Sequence, residues 1–261
     1  MARRVGLIGC GSIGGEIVKA IASGVVKAEL VGLFDIYPER CRSLLESTGI
    51  SARIVEGLEE LLELKPDLVV EAASQEAVRR YATRILEAGV DLVVMSVGAL
   101  LDPKLAEALR EASARGGARV YAPTGAIAAL DAIRAAKLSG IKRILLRTVK
   151  NPKSLGVEAS SRRILFRGPA SEAVKRFPFN VNVAAALTLA SGVEVEVEVV
   201  ADPSVGRNTH IIIVESNASR IEVKVENVPS PSNPKTSWLA ALSAVELLRR
   251  LTGGDWLVVG S

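Results

Sequence analysis

The feature that most constrains this chain is a glycine loop set between an apolar strand and a helix. Residues 9–14 read Gly9-Cys10-Gly11-Ser12-Ile13-Gly14, a G-x-G-x-x-G. The pattern is common by itself, but here residues 4–9 (RVGLIG) supply a buried strand before it and residues 13–23 a helix after it. Each glycine then has separate work. Gly9 permits the tight turn, Gly11 admits a pyrophosphate close to the backbone, and Gly14 lets the helix pack on the strand. Ser12 and Ile13 begin the helix, whose free N–H groups and dipole favour phosphate. Asp35 ends the next apolar run, about 20 residues beyond, where a carboxylate accepts from adenosine ribose hydroxyls. As a strand-end residue it also suits a simple turn. Asp35 favours NAD over NADP because it repels a ribose phosphate. Arg40, just beyond it, could answer that phosphate, so the expected cofactor is NAD with tolerance of NADP.

The first half alternates apolar runs at 4–9, 30–35, 53–55, 67–73, 91–95 and 119–122 with helical stretches at 13–23, 38–47, 58–64, 75–88 and 103–114. Strands and helices in this rhythm imply crossovers, a parallel sheet covered on both faces, and the doubly wound Rossmann arrangement. The rhythm changes after Thr124-Gly125. Helices are expected at 130–138, 170–176 and 181–190. Strands are expected at 144–149, 164–166, 193–200, 210–214 and 221–225, with 151–156 a loop. The run at 193–200 alternates Val and Glu, which marks a half-exposed strand. Successive strands indicate a mixed or antiparallel sheet.

The expected fold class is therefore α/β with a second α+β domain. Residues 228–234, rich in proline and serine, read as a linker. A helix at 238–251 and a strand at 256–259 are too little for a domain, so they return to the first. That gives a dinucleotide-binding domain of residues 1–123 and 234–261, and a substrate-binding, dimerising domain of residues 124–233.

Composition narrows the function. A net charge of +4 with scattered Lys and Arg, and only 3% aromatic residues, is unlike a nucleic-acid binder. No run approaches the ~20 apolar residues of a membrane span. Two cysteines, Cys10 and Cys41, form no disulfide framework, and with one histidine they assemble no zinc site. No metal is expected, and the default location is a reduced cytoplasm. Cys10 reads as a small residue packed against the cofactor.

The single histidine, His210, begins a strand after a loop. Its side chain suits proton transfer near neutrality, though a lone histidine equally fills a core or surface position. Lys150 and Asn151 end a strand before a proline, fit to bind a carboxylate or to sit solvated in a loop. Asn182 fits a helix start. Thr124-Gly125-Ala126 stands at the domain junction.

Longer segments carry a family resemblance: GLIGCGSIG (6–14), VVEAASQEAV (69–78), TGAIAALDAI (124–133), FPFNVNVAAALTLASG (177–192), VADPSVGRNTHII (200–212) and NPKTSWLAALSAVELLR (233–249). The chain resembles the archaeal and bacterial L-aspartate dehydrogenases. That resemblance implies a Rossmann domain completed by the C-terminal helix. It also implies a mixed-sheet domain, similar to dihydrodipicolinate reductase and homoserine dehydrogenase, that closes the cleft and makes a homodimer. It implies NAD(P)-dependent oxidation of L-aspartate to iminosuccinate, which yields oxaloacetate and ammonia or passes to quinolinate synthesis in NAD biosynthesis. By motif, the catalytic histidine falls on His210 and cofactor contacts on Ala126 and Asn182. Lys150, Asn151 and Lys235 are the candidates for the substrate carboxylates. Two other readings stay open: a different amino- or hydroxy-acid dehydrogenase of this build, and a non-catalytic dinucleotide sensor.

Overall fold

The computed structural model describes residues 2–177, 182–231, 233–253, 256, 257 and 259, with backbone only for 234 and 235. The chain begins β1 (Arg3–Ile8), α1 (Ser12–Ala22), β2 (Ala28–Phe34), α2 (Pro38–Thr48), β3 (Arg53–Ile54) and α3 (Leu58–Glu63). It continues β4 (Leu68–Glu71), α4 (Gln75–Glu87), β5 (Asp91–Val94), α5 (Pro103–Gly116) and β6 (Val120–Tyr121), with a 3₁₀ turn at Val97–Leu101. Then follow α6 (Leu130–Lys137), β7 (Ile141–Lys150), α7 (Pro152–Leu155), β8 (Arg163–Pro169), α8 (Ala170–Arg176), α9 (Asn182–Ser191), β9 (Glu196–Ala201), β10 (Asn208–Ser216) and β11 (Arg220–Asn227). A short pair, β12 (Pro229–Ser230) and β13 (Asn233–Ser237), precedes α10 (Trp238–Thr252). Two compact units result, Met1–Pro123 with Ala241–Leu257, and Thr124–Ala240 with Val258–Ser261.

In the first unit six parallel strands lie in the order β3-β2-β1-β4-β5-β6. This is the doubly wound order, reversing between β1 and β4, where ligands bind at the carboxyl ends of the strands. Alternate residues of each strand face opposite sides and build two aliphatic cores. Val5 and Leu7 join Ile17 and Ile21 of α1 with Ala244, Val245 and Leu248 of α10. Ile8, Val69 and Leu92 join Ile85 and Leu86 of α4 with Leu109 of α5. Each large side chain fully buried here contributes about 1.5–3 kcal/mol. Helix starts are set locally: the Ser74 hydroxyl accepts from the Ala77 N–H to cap α4, and Asp102 caps α5 before Pro103.

The second unit holds a five-stranded mixed sheet, β11-β10-β7-β9-β8, in which only β7 and β9 run parallel. Ile144, Leu146, Val197, Val199, Ile212 and Val214 are all buried along one face. On the other face Glu198 is gripped by Arg147 and Arg167.

Several expectations change. Cys10 and Cys41 are joined in a disulfide with Cα atoms 5.3 Å apart. Pairing of β1 with β2 brings the end of one strand beside the helix that follows the other, a contact that cysteine spacing does not reveal. The stretch expected as a linker contributes to the β12–β13 hairpin. The loop expected at 151–156 contains α7, begun by Pro152 and capped by Asn151. The Val/Glu run is half-exposed only at its start, because the two arginines allow Glu198 to be buried. Trp256, Leu257 and Val259 are not in a strand, and the rest of that expected strand lies outside the described residues. His210 does not begin its strand. It stands within β10, paired on both sides.

Candidate functional site

The first unit presents the glycine loop. Gly9 has φ +99°, and a Cβ there would lie 2.7 Å from the Ala72 carbonyl oxygen. A Cβ on Gly14 would lie 2.1 Å from the Gly9 oxygen, so α1 rests directly on the end of β1. Gly11 differs, since a Cβ there meets nothing within 4 Å. Its open side adjoins the start of α1, whose N-cap has no side-chain hydrogen bond. The N-terminus of a helix beside open space fits a pyrophosphate. Ser12 opens the helix, and Ile13 turns back to pack on the core.

Asp35 does two jobs. One carboxylate oxygen accepts from the Cys10 N–H at 2.8 Å and the other from the Tyr37 N–H at 3.0 Å. It therefore pins the loop, and as a carboxylate it keeps lone pairs for ribose hydroxyls. Arg40 stands 3.8 Å from Asp35 and stacks on Tyr37 at 4.4 Å. Sequence reasoning missed Glu71, at the carboxyl end of β4 and 1% exposed. It accepts from the backbone N–H groups of Ala73 and Ser96 and from the Ser96 hydroxyl, tying the loop after β4 to the loop after β5. Burial raises its pKa, and these hydrogen bonds oppose the rise. An acid ending the apolar run LVVE was the available signal.

The second unit gathers a buried polar cluster. His210 opposes Thr148 across β10 and β7, and the Thr148 Oγ1 lies 3.0 Å from His210 Nδ1. Lys150, two residues along β7, faces the same side and is 6% exposed. Burial lowers the Lys150 pKa to about 8. His210 is lowered to about 3, first by burial and then by the nearby Lys150 charge. The imidazole is thus neutral at physiological pH. In the tautomer whose Nδ1–H donates to Thr148, Nε2 is a base.

Other candidates fall elsewhere. The Asn151 amide is used locally, accepting from the Lys153 N–H at 3.1 Å and donating to the Val205 carbonyl at 3.4 Å. Ala126 is buried, and its carbonyl accepts from the Asn227 amide at 3.0 Å. Asn182 opens α9, and the preceding residues 178–181 lie outside the described residues. Lys235 lies on β13, with its side chain outside the described residues. Among the described residues no cluster of His, Cys, Asp and Glu could hold a metal, and no helix is long and apolar enough to cross a membrane.

A parallel sheet of this strand order, with a glycine loop open at the end of β1, defines a dinucleotide-binding protein. Comparison with known proteins narrows the class. Residues 9–123 match the family described as homoserine dehydrogenase, NAD binding domain, and residues 131–251 match aspartate dehydrogenase, C-terminal. The L-aspartate dehydrogenase of Methanothermobacter thermautotrophicus is 45% identical over 95% of both chains. That of Methanosarcina barkeri is 44% identical over 95% of this chain and 96% of its own. A crystal structure of aspartate dehydrogenase from Thermotoga maritima superposes with TM-score 0.80 at 29% identity, covering all of both chains. The chain belongs to the L-aspartate dehydrogenase family.

Proposed function

We propose that this protein oxidises L-aspartate with NAD+ to iminosuccinate, which water converts to oxaloacetate and ammonia. The observation that carries the chemistry is the buried His210–Lys150 pair on one sheet face. Bound NAD+ supplies the acceptor for the hydride that leaves the substrate Cα. The glycine loop and the start of α1 hold the pyrophosphate, Asp35 holds the adenosine ribose, and Ala126 and Asn182 are further contacts to the cofactor. The Lys150 ammonium pairs with a substrate carboxylate, which favours its charged form. That pairing cancels the Coulombic pressure on His210, so the imidazole gains basicity when the anionic substrate arrives. His210 takes the proton the substrate ammonium must lose as hydride leaves for NAD+, releases that proton to solvent, and as a neutral base again activates the water that adds to the imine carbon. Asn151 shapes the loop beside Lys150, and Lys235 is a second cation for the substrate.

NAD+ reduction should proceed with L-aspartate and not with D-aspartate, L-glutamate or L-homoserine. Dinucleotide binding without turnover of any of them would overturn the assignment and leave a sensor. We assign the protein to the cytoplasm, where the charged dinucleotide pool is held, and to the supply of NAD biosynthesis. The buried Cys10–Cys41 bond is shielded there from exchanging thiols. Partly exposed Leu145, Ile211 and Ile213 on the second sheet's other face suit a homodimer, read as sedimentation at twice the chain's mass.

Two substitutions test the binding roles. Asp35→Asn keeps an acceptor for the loop but removes the charge that repels a ribose phosphate. The NADP+ to NAD+ ratio of kcat/KM should rise about tenfold as Arg40 is released. An unchanged ratio would leave Asp35 only its loop contact. Lys150→Met should raise the KM for aspartate about 100-fold. It should also raise the pKa of His210, read from one imidazole resonance because the chain has one histidine. In the unaltered protein the KM should climb above pH 8 as Lys150 loses its proton. A KM indifferent to the substitution would remove Lys150 from the site.

A further inference from the structure

Asn227 is the last residue of β11 and is 3% exposed. Its Nδ2 donates to the Ala126 carbonyl at 3.0 Å, which fixes the orientation of the amide, since an oxygen in that place would face another oxygen. The remaining atom, Oδ1, is buried and accepts no hydrogen bond among the described residues. An unsatisfied buried carbonyl is unfavourable and uncommon in native proteins.

The register places this acceptor. Asn227 opposes Asn208 across β11 and β10, and His210 opposes Val225 one row on. Directly opposed residues share a face, as do residues two apart on a strand. Asn227, Asn208, His210, Thr148 and Lys150 therefore occupy one patch of one face, all of them buried. Farther along the same face the residues are Ile144, Leu146, Ile212 and Val214. A face that served only packing would stay apolar to its end. This one turns polar around His210.

We propose that Asn227 Oδ1 recognises the α-amino group of the substrate, an inference that rests on the reading of aspartate oxidation above. Aspartate, with two carboxylates and one ammonium, offers that oxygen only one class of partner. Its two carboxylates are acceptors and suit Lys150, while the N–H groups of the amine are donors and suit an amide oxygen. The bond is charge-assisted with the ammonium of the substrate and persists with the N–H of the imine. Asn227 is thus the specificity group for nitrogen, where His210 moves protons and Lys150 takes a carboxylate.

The test compares L-aspartate with succinate, which has both carboxylates and no amine. In the unaltered enzyme succinate should inhibit competitively, with an inhibition constant roughly tenfold or more above the KM for aspartate. In Asn227→Leu, of similar shape and apolar, that ratio should collapse toward one, with the Kd for NAD+ unchanged. General damage to the site weakens both ligands together and leaves the ratio in place, so an unchanged ratio overturns the proposal. Weakened NAD+ binding with an intact ratio also overturns it, by assigning Oδ1 to the cofactor's carboxamide. If Asn227→Leu does not fold, Asn227→Ser puts the same question. No aspartate turnover in the unaltered protein would fell the functional reading itself, a result separate from a working enzyme whose ratio does not move.

Discussion

Replacing His210 with alanine should lower kcat for aspartate oxidation by about 10²–10⁴-fold, the range of a positioned acid–base group. NAD+ affinity should stay near that of the unaltered protein, because the glycine loop and Asp35 belong to the other unit. The substitution also empties a buried position, so loss of fold must be separated from loss of chemistry. His210→Gln fills more of the space and lacks the base, and it should show the same loss of kcat with a smaller fall in Tm. Stability supplies a second readout. The folded pKa of about 3 lies below the ordinary value of 6.5, so protons bind the unfolded chain first. The contribution of His210 is complete above pH 6.5 and is lost as pH falls toward 3. His210→Gln should therefore flatten the acid side of the Tm profile. Full kcat in both variants would make the histidine a core residue, the alternative its sequence left open.

The first half of the chain was legible because local and global signals agree there. A parallel sheet buried on both faces requires nearly continuous apolar strands, and runs such as Leu68–Glu71 and Asp91–Val94 supply them. The second half was less legible because its contacts are long-range. The Val/Glu alternation describes the pleat correctly, yet whether Glu198 meets water depends on Arg147 and Arg167 from two neighbouring strands. Proline and serine at 228–234 report turn propensity, and a hairpin uses the same residues as a linker.

The candidate site divides in the same way. The glycine loop is contiguous, so its spacing carries its meaning. His210 stood out by being single. Its surroundings did not, because Thr148 and Lys150 lie about 60 residues earlier and reach it only through the β7–β10 register. Asn227 had no signal in the sequence. Its role rests on an oxygen left over after the nitrogen is used, which only the folded arrangement shows. The disulfide was invisible for a related reason, since Cys10 and Cys41 meet only because β2 lies beside β1.

Gly14→Ala should abolish measurable dinucleotide binding and lower Tm by about 10 °C. The added Cβ would sit 2.1 Å from the Gly9 carbonyl oxygen, an overlap that no rotamer relieves. Gly9 cannot yield, because its own left-handed backbone is held against the Ala72 carbonyl. The helix must lift from β1 instead, which opens the core around Leu7 and Ile17 and moves the N–H groups away from the phosphates. Two neighbours make the result specific. Gly15→Ala brings its Cβ no closer than 3.8 Å to Leu44, so both stability and binding should be retained. Gly11→Ala points into open space, so Tm should hold or rise slightly while NAD+ binding weakens about 100-fold, the methyl occupying the approach of the pyrophosphate. Thermal melts and calorimetric titration of the three variants separate the roles. Undiminished NAD+ affinity in Gly11→Ala would mean that the pyrophosphate does not sit on this loop, whatever Gly14→Ala does to the fold.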